Sequence, residues 1–165
     1  HLLNAVYETV KCRINEYELI RMTRSNRNAI KDFKKNDNAV LFASGSMWEG
    51  VDCAGDKLSS VIIVRLPFPL RTAAMEEKKS ASANVSAFIN EYAVPEMLIK
   101  LRQGVGRLIR CETDTGLISV LDTRAVRSRY SGRVQAVLSK YPRAENLDEI
   151  QEFFHSVKSK EYFEE

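Results

Sequence analysis

The apolar run VIIV at residues 61–64 lies within a longer candidate strand, Ser60–Leu66, and it anchors the assignment of the fold. Its side chains are continuously apolar, as expected for a strand in a sheet whose two faces are both covered. Ala39–Ala43 and Leu117–Leu121 have the same character, and Leu19–Met22 is a fourth short apolar run. Helical patterns lie between these runs. Alternating strands and helices predict an α/β fold with a doubly wound, mainly parallel sheet flanked by helices.

The helical patterns also define the expected limits of the domain. Predicted helices are Leu2–Asn15, Asn26–Lys35 behind a Ser25 cap, segments after Pro69 and after Pro95, about Arg127–Lys140, and Leu147–Phe163 behind Asn146. Residues 1–142 are predicted to form one domain, and residues 143–165 a C-terminal amphipathic helix docked on it. No strand precedes Leu2, so we expect either a sheet that lacks its first strand or a chain that belongs to a longer protein.

The composition excludes several classes of protein. The chain has 165 residues, 44% hydrophobic and 28% charged, which is typical of one soluble globular domain. No apolar run is long enough to span a membrane, and the N-terminus has no signal-peptide pattern. Cys12, Cys53 and Cys111 stand far apart without a CxxC spacing, which argues against a disulfide framework and a zinc site. We therefore expect a cytoplasmic domain with no membrane association and no metal of its own.

The net charge of +3 is unevenly distributed. Residues 1–36 contain eight Lys or Arg against four Asp or Glu, and residues 98–143 contain ten against three. Residues 144–165 are acidic, with two basic residues against seven acidic ones. The basic stretches could face phosphate groups, and they could equally form solvated surfaces.

The sequence PEMLIKLRQGVGRLIR at Pro95–Arg110 is the strongest functional pattern. If the whole stretch is helical, Gln103, Arg107 and Arg110 cluster on the face opposite an apolar one. Two glycines within it suggest close packing or a ligand beside the backbone, because glycine weakens a helix. Arginine binds phosphate through two parallel hydrogen bonds and stays charged. This pattern indicates a phosphate-binding face, and the alternative is an amphipathic helix with solvated arginines. The apolar face comprises Leu98, Leu101, Val105, Leu108 and Ile109.

A second functional pattern, SGSMWEGVDCAG at Ser44–Gly55, follows a predicted strand. Ligands of doubly wound sheets bind at the carboxyl ends of strands, where this glycine-rich loop would lie. Its glycines would turn backbone N–H groups toward a ligand, and its serines would donate hydroxyl groups. Its carboxylates would meet a ribose hydroxyl, a metal-bound water or an arginine, and its tryptophan could stack on a base or belong to the core. The residues concerned are Ser44, Gly45, Ser46, Trp48, Glu49, Gly50 and Asp52.

The chain has no P-loop. Gly50 and Gly55 have the spacing of the two P-loop glycines, but Asp56 occupies the place of the lysine that contacts phosphate. Lys57 comes one residue late, and no serine or threonine follows it. We expect this chain to complete a nucleotide site and not to hold a triphosphate by itself.

Two weaker patterns lie near the last strand. Asp122 and Arg124 follow its carboxyl end, where they could join the same crevice or form a structural ion pair. Three arginines and a tyrosine then form a basic and aromatic stretch that could contact a nucleic-acid backbone, although a solvated face is favoured. Its members are Arg127, Arg129, Tyr130 and Arg133.

Taken in order, SGSMWEGVD, VIIVRLPFP, QGVGRLIR and DTGLISVLDTR resemble the second motor lobe of superfamily 2 DNA helicases of the DinG/XPD type, with the bacterial DinG branch fitting best. Ser44–Asp52 matches helicase motif V, and Gln103–Arg110 matches motif VI, QxxGRxIR. The resemblance covers Leu2 to about Pro142. After LPFP the chain departs from the family pattern of further prolines and an aspartate.

The resemblance implies a RecA-like lobe that pairs with an N-terminal lobe bearing the Walker A and B motifs. Arg107 and Arg110 would then be catalytic and reach the γ-phosphate of ATP, with Gln103 beside them. Glu49, Gly50 and Asp52 would contact the nucleotide, and Ser44, Ser46 and Trp48 the DNA. ATP and Mg²⁺ would be bound mainly by the other lobe, which in this family can also carry a 4Fe–4S cluster.

The function implied by this resemblance is that of one lobe of an ATP-dependent helicase that moves on single-stranded DNA and unwinds duplexes in repair or replication. The isolated lobe would be inactive. Two alternatives stay open. One is a lobe of a DinG-like nuclease regulated by ATP without sustained unwinding, and the other is a non-catalytic nucleic-acid-binding module.

Overall fold

The structure is a computed structural model that describes residues 2–23, 26, 28–44, 53, 57–111 and 113–163. The chain divides into two compact units, His1–Lys57 and Leu58–Glu165. Each unit is built around one pair of parallel strands.

The first unit is a strand–helix–strand arrangement preceded by a helix. Its elements are α1 (Leu2–Lys11), β1 (Glu18–Arg21), α2 (Ala29–Lys35) and β2 (Ala39–Phe42). The strands pair in parallel from Glu18 opposite Ala39 to Arg21 opposite Phe42. Parallel neighbours need a crossover connection, and here α2 provides it and packs on both strands. Ile20, Ala29 and Phe33 are the buried apolar residues of these elements.

The second unit contains most of the helices. Its elements are β3 (Ser60–Ile63), α3 (Ala73–Ala81), α4 (Val85–Phe88), a π-helical turn (Ile89–Ala93), α5 (Val94–Val105), β4 (Leu117–Val120), α6 (Arg124–Arg127), α7 (Ser131–Leu138), α8 (Leu147–Val157) and a 3₁₀ turn (Lys160–Tyr162). Strands β3 and β4 pair in parallel, Ser60 opposite Leu117 through Ile63 opposite Val120. The crossover between them carries α3, α4 and α5.

Helix α5 lies at the centre of the second unit. Its apolar stripe repeats every three or four residues, which directs one face inward, and α7 packs against it. Burial is almost complete along this stripe, so α5 contributes more to the core than any other described helix. The fully buried side chains are Val94, Met97, Leu101 and Val105 of α5 and Val134 of α7.

The α/β fold with parallel strands is confirmed, and all four predicted strands form, although β3 ends at Ile63 and not at Leu66 as predicted. In the described residues they are hydrogen-bonded in two pairs. Several helix bounds differ from the prediction. Helix α1 ends at Lys11, α2 begins at Ala29 after Asn28, and the predicted helix near Arg127–Lys140 is two helices, α6 and α7.

Pro95 lies in the first turn of α5, as the sequence predicted, and a π-helical turn precedes this helix without a break. Proline has no N–H and collides with the carbonyl of the preceding turn, so it normally disrupts a helix interior. Here the wider turn relieves this conflict, and Val94 N–H bonds to the carbonyl of Ile89, five residues back. Five residues before Pro95, the carbonyl of Asn90 accepts a hydrogen bond from Arg133 Nη1 at 3.1 Å. Arg133, one of the residues of the basic stretch, therefore has a structural role.

Helix α8 begins where the sequence predicted, and the Asn146 side chain accepts a hydrogen bond from Glu149 N–H at 2.9 Å. It ends at Val157, earlier than predicted, and none of its residues is buried. Just beyond the helix, Lys158 Nζ donates to the Thr115 carbonyl at 3.4 Å. The docking of residues 143–165 on a domain of residues 1–142 stays a prediction.

Candidate functional site

The segment with the two candidate arginines begins on α5 and leaves it. The helix ends at Val105, and Gly106 N–H bonds to the Arg102 carbonyl at 2.9 Å. The chain then tightens, since Arg107 N–H bonds to the Gly104 carbonyl at 3.2 Å. The predicted helix through Arg110 is therefore wrong beyond Val105.

Arg107 and Arg110 consequently lie on a turn and not on a helical face with Gln103. Gln103 is exposed on the last turn of α5, Arg107 is half-buried and Arg110 is exposed. Arg110 Nε donates to the Arg107 carbonyl at 3.3 Å, so the second arginine leans on the backbone of the first. The structure thus brings the two arginines together by a local backbone contact instead of by helical periodicity.

The turn is anchored in the core by Leu108. Its side chain is 4% exposed and packs against Gly116, which directly precedes β4. A Cβ at Gly116 would lie 2.7 Å from Leu108 Cδ1 and 2.7 Å from the Ser59 carbonyl oxygen. Such distances are shorter than any ordinary contact, and the Ser59 carbonyl cannot move freely because it accepts the first β4 hydrogen bond, from Leu117 N–H. Only glycine therefore allows this close approach.

A second anchor is the carboxylate of Asp114. Its Oδ2 atom accepts hydrogen bonds from Arg110 N–H at 2.8 Å and from Cys111 N–H at 3.1 Å. Asp114 N–H donates in turn to the Cys111 carbonyl at 3.2 Å. The hydrogen bonds from Arg110 and Cys111 lower the pKa of the Asp114 carboxyl below its ordinary value, so the acceptor is ionised at neutral pH. Sequence reasoning assigned no role to Asp114, although it lies four residues after Arg110 and is the first residue of the DTGLISVLDTR stretch.

Asp122 and Arg124 form an ion pair at the end of β4, which was one of the two interpretations of these residues. Arg124 Nη2 lies 2.6 Å from Asp122 Oδ2, and Leu66 N–H donates to the same oxygen at 2.9 Å. The Asp122 side chain is 6% exposed, so it joins the segment after β3 to the end of β4 from a buried position. The Arg124 hydrogen bonds, followed by that from Leu66, hold the pKa of Asp122 far below its ordinary value.

Two aromatic side chains, Phe68 and Tyr130, pack beside this ion pair. The Arg124 guanidinium lies 5.1 Å from the centre of the Phe68 ring, and Phe68 meets Tyr130 edge to face at 5.6 Å. Tyr130 is thus part of a packed cluster, while Arg127 and Arg129 are exposed. Of these three residues of the basic stretch, the tyrosine therefore packs against Phe68, and the two arginines lie on the surface.

Most of the glycine-rich loop lies outside the described residues. Ser44, which follows β2, is exposed, and Cys53 is buried. The predictions for Gly45, Ser46, Trp48, Glu49, Gly50 and Asp52 concern residues outside the described part of the chain.

Two further findings concern membranes and metals. Among the described residues, no helix has the length and apolar character that crossing a membrane requires. The same residues contain no group of three or more His, Cys, Asp or Glu side chains placed to hold a metal ion.

The parallel strand pairs and their crossover helices are consistent with a RecA-like α/β helicase domain. The chain belongs to the helicase C-terminal domain family, whose model matches residues 1–141. It is 36% identical over 143 residues to the ATP-dependent DNA helicase YoaA of Haemophilus influenzae, covering 84% of this chain and 22% of that protein.

Two other relatives have similar identity. YoaA of Escherichia coli is 37% identical over 134 residues, which are 78% of this chain and 21% of that protein. The 3'-5' exonuclease DinG of Bacillus subtilis is 39% identical over 106 residues, which are 61% of this chain and 11% of that protein. The chain thus spans about a fifth or less of the length of these relatives.

We predict that Gly116→Ala destabilises the chain by about 1–3 kcal/mol, because the new methyl group must displace Leu108 or strain the Ser59 carbonyl. Gly132→Ala is the matched control, since nothing lies within 4 Å of a Cβ at that position of α7. There alanine should be neutral or stabilising by up to about 1 kcal/mol. Urea unfolding followed by circular dichroism measures both variants, and equal stability of the two would contradict the proposed close approach.

We predict that Asp122→Asn lowers the free energy of unfolding near neutral pH by about 1–2 kcal/mol, because the amide cannot satisfy both Leu66 N–H and Arg124. The folded state lowers the pKa of Asp122, so its carboxylate stabilises the fold above the pKa of the unfolded chain, and this contribution declines as the pH falls below about 4. The unfolding curves of the wild type and of the Asp122→Asn variant should therefore converge in acid. Glu152→Gln, at an exposed carboxylate in the middle of α8, should change stability by less than about 0.5 kcal/mol. A difference between wild type and Asp122→Asn that does not depend on pH would contradict this account.

Proposed function

We propose that the chain is the second motor lobe of an ATP-dependent DNA helicase and supplies Arg107 and Arg110 to an ATP site shared with an N-terminal lobe. The observation that carries the proposal is the arginine turn itself. Leu108 is buried at its centre, Asp114 binds its backbone, and Arg110 contacts the Arg107 carbonyl. Two guanidiniums on such a preorganised turn suit a phosphate whose charge grows in the transition state.

In this proposal each group has a distinct role. Arg107 and Arg110 contact the γ-phosphate of ATP, and Gln103, exposed at the end of α5, lies at the same interface. Glu49, Gly50 and Asp52 contact the nucleotide, whereas Ser44, Ser46 and Trp48 contact single-stranded DNA. Mg²⁺ and the cradle for the triphosphate belong to the other lobe, as does any 4Fe–4S cluster. DNA translocation, unwinding and a role in repair or replication are then properties of the full-length protein.

A second candidate function is supported by the relative named a 3'-5' exonuclease, which is 39% identical over the matched residues. In that case the same lobe would gate DNA cleavage without sustained unwinding. The arginine turn would act identically in both proteins, because both uses need ATP hydrolysis. Assays of unwinding and of strand cleavage by the full-length protein separate the two functions.

The principal test is DNA-stimulated ATP hydrolysis by the full-length protein with Arg110→Ala. Loss of an arginine finger lowers turnover by about 10³–10⁵ in related systems, and we expect a loss of at least about a hundredfold while ATP still binds. The matched control is Arg102→Ala, an exposed arginine two turns earlier in the sequence that has no proposed role. Near wild-type turnover of Arg110→Ala would instead favour a non-catalytic nucleic-acid-binding module.

The isolated chain should not hydrolyse ATP, because Asp56 stands where the phosphate-binding lysine of a P-loop would be. Phosphate release by the purified chain, with and without single-stranded DNA, checks this expectation beside the full-length protein. Steady turnover by the chain alone would show that it holds a complete ATP site, and the shared-site proposal would then be wrong.

A further inference from the structure

We propose that Asp114 is a positioning residue for Arg110, because its carboxylate fixes the backbone from which the guanidinium extends. This inference rests on the proposed function, in which Arg110 contacts ATP. It assigns a role to a residue outside the QxxGRxIR pattern, at the start of the DTGLISVLDTR stretch.

One carboxylate oxygen, Oδ2 of Asp114, accepts two backbone hydrogen bonds from the turn. Asp114 Oδ2 accepts from the two consecutive N–H groups of Arg110 and Cys111, at 2.8 and 3.1 Å. Asp114 N–H closes the loop from the other side by donating to the Cys111 carbonyl at 3.2 Å. Arg110 N–H belongs to the peptide that joins Ile109 to Arg110, and Cys111 N–H belongs to the peptide that joins Arg110 to Cys111. The two hydrogen bonds therefore restrain both peptide planes that flank the Arg110 Cα atom.

Further hydrogen bonds connect the Arg110 backbone to the rest of the turn. Arg110 Nε donates to the Arg107 carbonyl at 3.3 Å, and Arg107 N–H bonds to the Gly104 carbonyl at 3.2 Å at the end of α5. A continuous set of hydrogen bonds thus runs from the Asp114 carboxylate through both arginines to the central helix. Displacing the Arg110 backbone would move the guanidinium relative to Arg107.

The Asp114 carboxylate holds a segment that lies outside the helices and strands. The turn lies between α5, which ends at Val105, and β4, which begins at Leu117, so no helix or sheet hydrogen bond sets the path of its described residues. Leu108 and Gly116 fix its two ends in the core, and Arg110 and Cys111 between them are exposed. Water can satisfy exposed N–H groups when Asp114 is removed, so stability should change little. The position of the guanidinium is what the substitution should alter.

The test uses the full-length protein and measures kcat and KM for ATP in the presence of single-stranded DNA. Misplacement of a catalytic group by about 1 Å can cost about a hundredfold in rate, and we expect Asp114→Ala to lower kcat by about tenfold or more. KM for ATP should change by less than about threefold, since binding is governed by the other lobe. Asp114→Asn should give a smaller loss, because its amide oxygen still accepts one hydrogen bond. Glu152→Gln, a mid-helix change of α8 that also removes one negative charge, is the control and should match wild type.

A double-mutant cycle with Arg110→Ala distinguishes positioning from a structural role. If Asp114 acts through Arg110, adding Asp114→Ala to Arg110→Ala should lower kcat by less than about twofold more. An equal loss in both backgrounds, or wild-type turnover of Asp114→Ala, would overturn the inference. Melting curves accompany the kinetics, and if Asp114→Ala unfolds, the same cycle with Asp114→Asn decides the outcome.

The cycle also separates this inference from the function on which it rests. Full turnover of Arg110→Ala alone would reject the proposed function, and the positioning role would be rejected with it. A large loss with Arg110→Ala beside wild-type turnover of both Asp114 variants would reject only the positioning role.

Discussion

The close approach of Gly116 to Ser59 and Leu108 is the constraint on which the second unit depends. At this point β4 begins to pair with β3, and a Cβ at Gly116 would lie 2.7 Å from the Ser59 carbonyl oxygen that accepts the first β4 hydrogen bond. The same contact receives the buried Leu108 side chain and so fixes the turn that carries both arginines. Strand pairing and the placement of the candidate phosphate-binding groups therefore both depend on the absence of a side chain at Gly116.

The strands could be predicted from the sequence because each contains a short apolar run with helical patterns on either side. The run VIIV at residues 61–64 predicted β3, but it also predicted a strand covered on both faces, and Ile62 is 59% exposed. The ends of helices were less predictable. The projection that grouped Gln103 with Arg107 and Arg110 assumed a regular helix, and the chain leaves the helix at Gly106. What joins the arginines is a hydrogen bond from a side chain to a backbone carbonyl, which has no periodic signature.

The site shows the same division between local and nonlocal information. Asp122 and Arg124 are two residues apart, so an ion pair was a reasonable alternative, but the Leu66 N–H that completes their contact is distant in sequence. Asp114 was overlooked because its partners are backbone N–H groups, and every residue except proline offers one. A carboxylate that binds backbone can therefore be recognised only when the path of the chain is known.

The π-helical turn Ile89–Ala93 contains one residue more than an α-helical turn, and α4 and α5 continue on either side of it. A wide turn of this kind accommodates one extra residue within a continuous helix. Deletion of one residue there would convert the wide turn into an α-helical turn while the apolar stripes on both sides keep their alignment, so the arginine turn after α5 would not rotate. Arg133 makes the arrangement durable, since it supplies a donor to the Asn90 carbonyl that Pro95 cannot provide.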